Sequence, residues 1–199
     1  MHTDFKIVWL MRHGQSVGNV DQPTQNHADI PLTGLGREQA KRLAGRLDKK
    51  PELIVMSSFL RAQQTAEPLC EKYPDVPTEI WPETAEFTYL SPARCRNTRR
   101  SDRIPLVREY WQRQDPDYRD GGGAESFADF VKRAEVIHER LLQRPETDIA
   151  IFSHGQFLNC LIDVSIHPYA ANAERMARFR RLPELPNAGL IYLLLPFGE

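Results

Sequence analysis

Two histidine–glycine pairs, far apart in the chain, each follow an apolar run. His13-Gly14 comes shortly after residues 5–10, and His154-Gly155 follows residues 149–152. Short apolar runs of this kind are typical of buried strands, and ligands of open α/β sheets bind at the carboxyl ends of the strands. We therefore predict that two imidazoles face one cleft, where they could serve as nucleophile, base or hydrogen-bond donor.

Two other interpretations of these histidines are open at this stage. Each could be structural, or the pair could bind zinc, although no third ligand at metal-like spacing accompanies either one. The sequence also lacks the motifs that are typical of nucleotide-binding loops, Rossmann domains, serine hydrolases and zinc proteases. We therefore predict neither a metal nor a cofactor.

Two arginines lie beside the predicted strand ends. Arg12 directly precedes His13, and Arg61 lies in the segment Ser57-Ser58-Phe59-Leu60-Arg61, just beyond a further apolar run. The start of a helix offers free N–H groups to phosphate, and two guanidiniums can clamp a tetrahedral oxyanion through forked hydrogen bonds. Arg61 alone could be a solvated helix residue, but together the two arginines favour a phosphate site.

The elements that position these residues alternate between strands and helices. Apolar runs predict strands at 6–11, 53–56, 149–152 and 190–195, and the spacing of apolar residues predicts amphipathic helices between them. This alternation predicts an α/β fold with a mostly parallel sheet that is covered on both faces. Residues 74–123 break the pattern with many prolines and arginines, so we interpret them as a lid insertion.

Size and composition are those of a single soluble domain over residues 1–199. The formal net charge is −1, so no overall field draws the chain to nucleic acid or to a membrane. The apolar runs are much shorter than the roughly 20 residues of a membrane-spanning helix, and the first residues do not resemble a signal peptide. Three cysteines without paired spacing favour a reducing, cytoplasmic location.

Four ordered motifs resemble those of the histidine phosphatase superfamily, which includes cofactor-dependent phosphoglycerate mutases and many small phosphatases. The resemblance covers most of the chain and implies a three-layer α/β/α sandwich with a variable lid and an active site at the carboxyl edge of the sheet. The motifs are Arg12-His13-Gly14 with Asn19, Leu32-Thr33-x-x-Gly36-x-x-Gln39-Ala40, Ser57-Ser58-x-x-Arg61-Ala62-x-Gln64-Thr65-Ala66, and Ser153-His154-Gly155.

The resemblance implies a role for each matching position. His13 corresponds to the nucleophile that accepts the phosphoryl group, Arg12 and Arg61 to the phosphate-binding arginines, His154 to the second histidine of the pocket, and Asn19 to a polar pocket residue. The proton donor of the family is a carboxylate between the second strand and the lid. Glu83 and Glu86 both fit, and we favour Glu86 because an aromatic residue follows it.

The predicted function is hydrolysis of a small phosphorylated molecule through a phosphohistidine, without a metal. Gln15, Gly18 and the absence of a mutase-like segment after Asn19 favour a phosphatase over the alternative, a phosphoglycerate mutase. A protein that binds phosphorylated ligands without turnover is a third hypothesis. The arginines between Arg94 and Arg108 could recruit an anionic substrate or form a solvated face, and they lack the interleaved aromatic residues of nucleic-acid sites. The sequence gives no prediction of the oligomeric state.

Overall fold

A five-stranded sheet forms the centre of the structure, a computed structural model that describes residues 5–197. Its strands are β1 (Phe5–Arg12), β2 (Leu53–Met56), β3 (Thr78–Ile80), β4 (Asp148–Ser153) and β5 (Leu190–Pro196). Their order is β3-β2-β4-β1-β5, and only the β1–β5 pairing is antiparallel within the described chain. β4 is buried along its whole length, and its residues 149–152 form one apolar run, as is typical of central parallel strands.

Helices cover both faces of the sheet. The α-helices within residues 5–197 are α1 (Gly34–Gly45), α2 (Leu60–Lys72), α3 (Pro92–Cys95), α4 (Ile104–Arg113), α5 (Phe127–Gln143), α6 (Gly155–Ile166) and α7 (Asn172–Phe179). Trp9 and Met11 of β1 pack in one core cluster with residues of α1 and α2, whereas Val8 and Leu10 pack in another with residues of α5 and α6. Successive strand residues point to opposite faces, so the predicted three-layer α/β/α sandwich is confirmed.

Two helices begin at the residues that local sequence patterns indicate. The Thr33 side chain accepts a hydrogen bond from the Gly36 amide at 3.0 Å and caps α1. Ser126 and Asp129 form a reciprocal capping box at the start of α5, which satisfies amides that have no partner within the helix. Among residues 5–197, none of the helices has the length and apolar character needed to cross a bilayer.

The segment at 74–123 contributes both to the sheet and to its surroundings. Its first part contains β3, which pairs with β2 as an edge strand, so the part outside the sheet begins at about Pro82. The remainder forms short helices and α4, and it is tied to the loop after β1. Thr24 and Thr98 form an isolated bridge, and Asp21 accepts hydrogen bonds from the amide and hydroxyl of Ser101 at 2.9 Å each.

Candidate active site

The two histidines meet because β1 and β4 are neighbours in the sheet. Parallel pairing aligns Arg12 with Ser153, so both strands end at the same edge, one residue before His13 and His154. The two imidazole rings lie in an edge-to-face arrangement with their centroids 5.2 Å apart. The structure therefore brings together the two histidine–glycine pairs that are 141 positions apart in the chain, from residue 13 to residue 154.

Hydrogen bonds fix one tautomer of His13. Its Nδ1 lies 2.7 Å from the Gly14 carbonyl oxygen, and its Nε2 accepts a hydrogen bond from Arg61 Nε at 3.2 Å. The proton is therefore on Nδ1, which leaves a lone pair on Nε2. Burial lowers the pKa of His13 well below 6.5, as does the nearby Arg61, although the Gly14 carbonyl opposes this shift. His13 is thus a neutral imidazole at neutral pH.

The loop that carries His13 rests directly on the first turn of α1. A Cβ on Gly14 would lie 2.5 Å from the Gly36 carbonyl oxygen, and a Cβ on Gly36 would lie 2.0 Å from the Gln15 carbonyl oxygen. Only glycine fits at these two positions, because the opposing atoms belong to backbone. The Gly14 amide also donates to Thr65 Oγ1 at 3.1 Å, which ties the loop to α2.

Arg61 lies in the first turn of α2 with its side chain buried across the site. Besides its contact with His13, its Nη1 donates to the His27 carbonyl oxygen at 2.7 Å. Its guanidinium also lies 4.9 Å from the ring centroid of Phe59. Burial lowers the pKa of Arg61 to about 10, so the guanidinium remains charged at neutral pH and is available to an anion.

Arg12, the last residue of β1, lies against the second histidine–glycine pair. A Cβ on Gly155 would come within 3.3 Å of Arg12 Nε, so this glycine makes room for the guanidinium. Arg12 Nη1 donates to the Leu185 carbonyl oxygen and lies 3.0 Å from Glu184 Oε1. Its Nε is buried and has no hydrogen-bond partner among the described residues.

His154 lies behind His13 rather than on the cavity wall, and it is fully buried. Its Nε2 is 2.8 Å from Ser57 Oγ, while Nδ1 is buried without a partner within residues 5–197. Ser57 Oγ accepts a hydrogen bond from the Phe59 amide at 3.3 Å, which leaves its own hydrogen free to bond to Nε2. Burial and the nearby Arg61 lower the pKa of His154 well below 6.5, so this ring is also neutral.

The structure separates the two candidate carboxylates. Glu86 lines the cavity, and its carboxylate accepts hydrogen bonds from the amides of Phe87 and Phe157 at 3.0 and 3.2 Å, the latter at the start of α6. Burial raises the pKa of Glu86 above 4.5, although the amides of Phe87 and Gln156 and the two site arginines oppose the shift. Glu83 instead binds Arg140 at 2.7 Å, which lowers its pKa, and it does not line the cavity.

Asn19 lines the cavity, and its side-chain oxygen already accepts hydrogen bonds from protein groups. Asn19 Oδ1 accepts hydrogen bonds from the amide and hydroxyl of Ser16 at 3.0 and 2.9 Å, and from Asn187 Nδ2 at 3.2 Å. Its NH2 group is therefore what it can offer to a ligand. Asn187 also donates to the His13 carbonyl oxygen at 3.2 Å. The sequence Asn187-Ala188-Gly189 before the last apolar run resembles a turn of the same superfamily, and this resemblance predicts a contact with the pocket.

His27 also belongs to the site, although the sequence pattern around it gave no indication of this. It lines the cavity, and besides the carbonyl contact with Arg61, its Nε2 lies 3.5 Å from Arg103 Nη1. Burial, together with Arg103 and Arg61, lowers the pKa of His27 to about 4. The surrounding cavity has a volume of about 640 Å³, which is within the range of small-molecule sites. Throughout residues 5–197, no group of three or more His, Cys, Asp or Glu side chains could hold a metal ion.

The chain is similar to several known proteins in sequence and in fold. The chain is 29% identical to a probable phosphoglycerate mutase GpmB from Yersinia enterocolitica over 185 residues, which cover 87% of this chain and 80% of that protein. The structure of a putative alpha-ribazole-5′-P phosphatase from Escherichia coli K-12 is similar, with a TM-score of 0.73, 26% identity and coverage of 98% and 97% of the two chains. A structure called mycobacterial hydrolase 1 shares the fold, with a TM-score of 0.75, 24% identity and coverage of 96% and 91%.

The family assignment rests on a match along most of the chain. Residues 8–187 match the family model of the histidine phosphatase superfamily, branch 1. This range includes both histidine–glycine pairs, both site arginines and Glu86. The chain therefore belongs to the histidine phosphatase superfamily, as its motifs predicted.

Proposed function

We propose that this protein is a phosphomonoesterase that transfers the phosphoryl group of a small substrate to His13 Nε2 and then to water. The observation that carries this proposal is the state of His13. Its Nδ1–H faces a carbonyl oxygen, its Nε2 lone pair faces a cation, and its pKa is lowered. A neutral imidazole held in this way is a nucleophile next to an anion site.

The first step forms a bond between phosphorus and Nε2 and breaks the ester bond to the leaving oxygen. We assign binding of the phosphoryl oxygens to Arg12 and Arg61, with the NH2 group of Asn19 as an additional donor. Arg61 Nε, which rests on Nε2 in the free protein, then moves to a phosphoryl oxygen. Two guanidiniums stabilise the charge of the transition state, and such electrostatic stabilisation carries most of phosphoryl transfer.

Glu86 supplies and recovers the proton in this proposal. Its raised pKa favours the protonated form, which can donate to the leaving oxygen in the first step. In the second step, water attacks phosphorus, the bond to Nε2 breaks, and the Glu86 carboxylate takes the proton of the water. His154 is the remaining donor: with the Ser57 hydroxyl donating to Nε2, its Nδ1–H is free for an oxygen of the phosphorylated His13.

A trapping experiment tests the proposal. The protein is mixed with p-nitrophenyl phosphate, quenched in alkaline denaturant and digested, and the peptide that contains His13 is analysed by mass spectrometry. We expect an acid-labile phosphorylated peptide and hydrolysis that is insensitive to EDTA. Replacement of His13→Ala should abolish both signals, and replacement of the exposed His167→Gln should preserve both. Phosphorylated protein in the His13→Ala variant would refute His13 as the nucleophile.

A second candidate, phosphoglycerate mutase, is favoured by one observation, the name of the relative from Yersinia enterocolitica. A coupled assay with 3-phosphoglycerate and a bisphosphoglycerate primer distinguishes the two reactions. Isomerisation without net release of phosphate would replace hydrolysis as the main activity. Independence from metals and cofactors, a small-molecule substrate without nucleic-acid or membrane partners, and a cytoplasmic location stay predictions of the phosphatase proposal.

A further inference from the structure

Glu184 lies between two groups of arginines that line the cavity. Arg12 and Arg61 belong to its floor, where we place the phosphate, and the arginines of its outer wall are Arg100, Arg103, Arg108 and Arg180. Glu184 Oε1 lies 3.0 Å from Arg12 Nη1, and its Oε2 lies 3.9 Å from Arg100 Nη2 in the 74–123 segment. The Glu184 side chain is 64% exposed and lines the cavity. It lies in the loop between α7 and β5, where Pro183 and Pro186 restrict the backbone on both sides. A negative charge therefore lies in the cavity next to one of the two arginines proposed to bind phosphate.

The arginines of the outer wall are largely engaged by protein groups. Arg103 Nη2 donates to Thr24 Oγ1 and to the Thr98 carbonyl oxygen, both at 3.0 Å. The Arg180 guanidinium lies 5.2 Å from the ring centroid of Trp111. The third guanidinium, on Arg100, faces Glu184. These contacts leave the exposed Arg108, on the rim, as the outer-wall arginine without a contact of this kind among the described residues.

The other part of the wall is apolar and aromatic. Phe87 and Tyr89 pack with ring centroids 5.0 Å apart directly after Glu86 in the chain. Residues from α4, α7 and the following loop complete this surface. Such a wall favours a substrate whose alcohol or phenol part is uncharged, because burial of apolar surface is favourable and burial of an unpaired charge is costly. Its members are Phe87, Tyr89, Val107, Trp111, Phe179 and Leu182.

We propose that Glu184 is a specificity-determining residue that disfavours phosphate esters with a second anionic group near the phosphate. The preferred substrates are then phosphomonoesters of uncharged, largely apolar alcohols or phenols. Glu184 repels the phosphoryl group of every ester equally, so this repulsion lowers affinity without changing the order of substrates. Only an ester with a further anion close to Glu184 meets an additional repulsion, and the nearby guanidinium of Arg100 already faces Glu184. Such like-charge contacts are a general means of rejecting competing ligands.

The inference rests on the proposed function, because Arg12 and Arg61 are taken as the phosphate site. The test uses two esters that differ in one group: glycerol 3-phosphate has a CH2OH group where 3-phosphoglycerate has a carboxylate. We expect the unaltered protein to favour glycerol phosphate in kcat/KM by at least about tenfold. Glu184→Gln should shrink that preference by about three- to tenfold, chiefly through KM for phosphoglycerate. Glu174→Gln, an exposed control on α7, should leave it unchanged.

A binding measurement keeps the inference separate from the reaction. The dissociation constants of both esters are measured by calorimetry in the His13→Ala background, with and without Glu184→Gln, where no turnover is expected. If Glu184→Gln brings the dissociation constants of the two esters closer together by about the same factor, the inference is supported even if no phosphohistidine is ever trapped. Equal changes for both esters, or none, would overturn it, as would a preference of the unaltered protein for phosphoglycerate. In that last case, loss of the preference in Arg108→Gln would assign the second anion to the rim.

Discussion

The floor and the mouth of the cavity are built in different ways. The floor residues Arg12, His13 and Arg61 end a strand, follow one directly or lie in the first turn of a helix, and His154 lies behind them at the end of β4. The remaining floor residue, Glu86, lies in a loop, where the amides of Phe87 and Phe157 bind its carboxylate. The mouth is formed by residues 87–123 and 180–188, whose arginines are mostly exposed and contact other loops. Regular elements thus place the nucleophile and the two phosphate-binding arginines, while loops supply Glu86 and the groups that select among substrates.

The largest effect should follow from removing a floor cation. Arg61→Ala should lower kcat/KM for p-nitrophenyl phosphate by about 10³-fold, because one preorganised donor of a buried site contributes about 10²- to 10³-fold. Arg108→Ala, at the mouth, should lower it by less than about threefold, since exposed charges act mainly by weak steering. Steady-state kinetics of both variants, with circular dichroism to verify folding, make the comparison. If Arg61→Ala and Arg108→Ala lowered kcat/KM by similar factors, the proposed difference between floor and mouth would be wrong.

The same contrast explains what could be predicted from the sequence. The strands, the helix caps at Thr33 and Ser126, and the approach of His13 to His154 follow from local patterns and from the rule that parallel strands end at one edge. Within the segment that the sequence analysis interprets as a lid insertion, residues 78–80 proved to form β3, the edge strand of the sheet. Edge strands are short and only partly buried, so their apolar signal is faint.

The residues that sequence analysis missed all lie in loops. His27 and Glu184 reach the cavity through the loop after β1 and the loop before β5, neither of which has a periodic pattern. Their partners, Arg61 for the His27 carbonyl oxygen and Arg12 for Glu184, are distant in the chain. Such contacts depend on how loops fold over the sheet edge, which the spacing of apolar residues does not determine.

A smaller effect should follow from Glu86→Gln, and it should depend on the leaving group. We expect kcat for glycerol phosphate to fall by about 10²-fold, which is within the range of general acid catalysis, and kcat for p-nitrophenyl phosphate to fall much less. Activity needs neutral His13 and protonated Glu86. The pH profile of kcat/KM should therefore fall below the lowered pKa of His13 and above the raised pKa of Glu86.

The pH profile of the Glu86→Gln variant provides the check. Glutamine does not titrate, so the decrease at high pH should disappear while the decrease at low pH remains. Glu83→Gln is the matched control, because its carboxylate binds Arg140 away from the cavity. If the Glu83 variant lost the high-pH limb instead, the proton donor would be Glu83.

The smallest effect concerns His27, which lies where floor and mouth join. Its folded-state pKa of about 4 is below the ordinary 6.5, so the unfolded chain binds a proton that the folded protein excludes. Stability therefore falls as pH decreases from 6.5 towards 4, by about 1.4 kcal/mol per unit and about 2 kcal/mol at pH 5. His27→Gln should remove this loss.

Chemical denaturation at pH 7.5 and pH 5 measures the effect as a difference between proteins. The unaltered protein should lose about 1–2 kcal/mol more of its free energy of unfolding over this range than His27→Gln does. His13 and His154 contribute equally to both proteins, so the difference isolates His27. His167→Gln, an exposed control, should behave as the unaltered protein does. If the His27 variant showed the same loss as the unaltered protein, the ring would be solvated in the folded state, and the loop after β1 would not close the junction between floor and mouth.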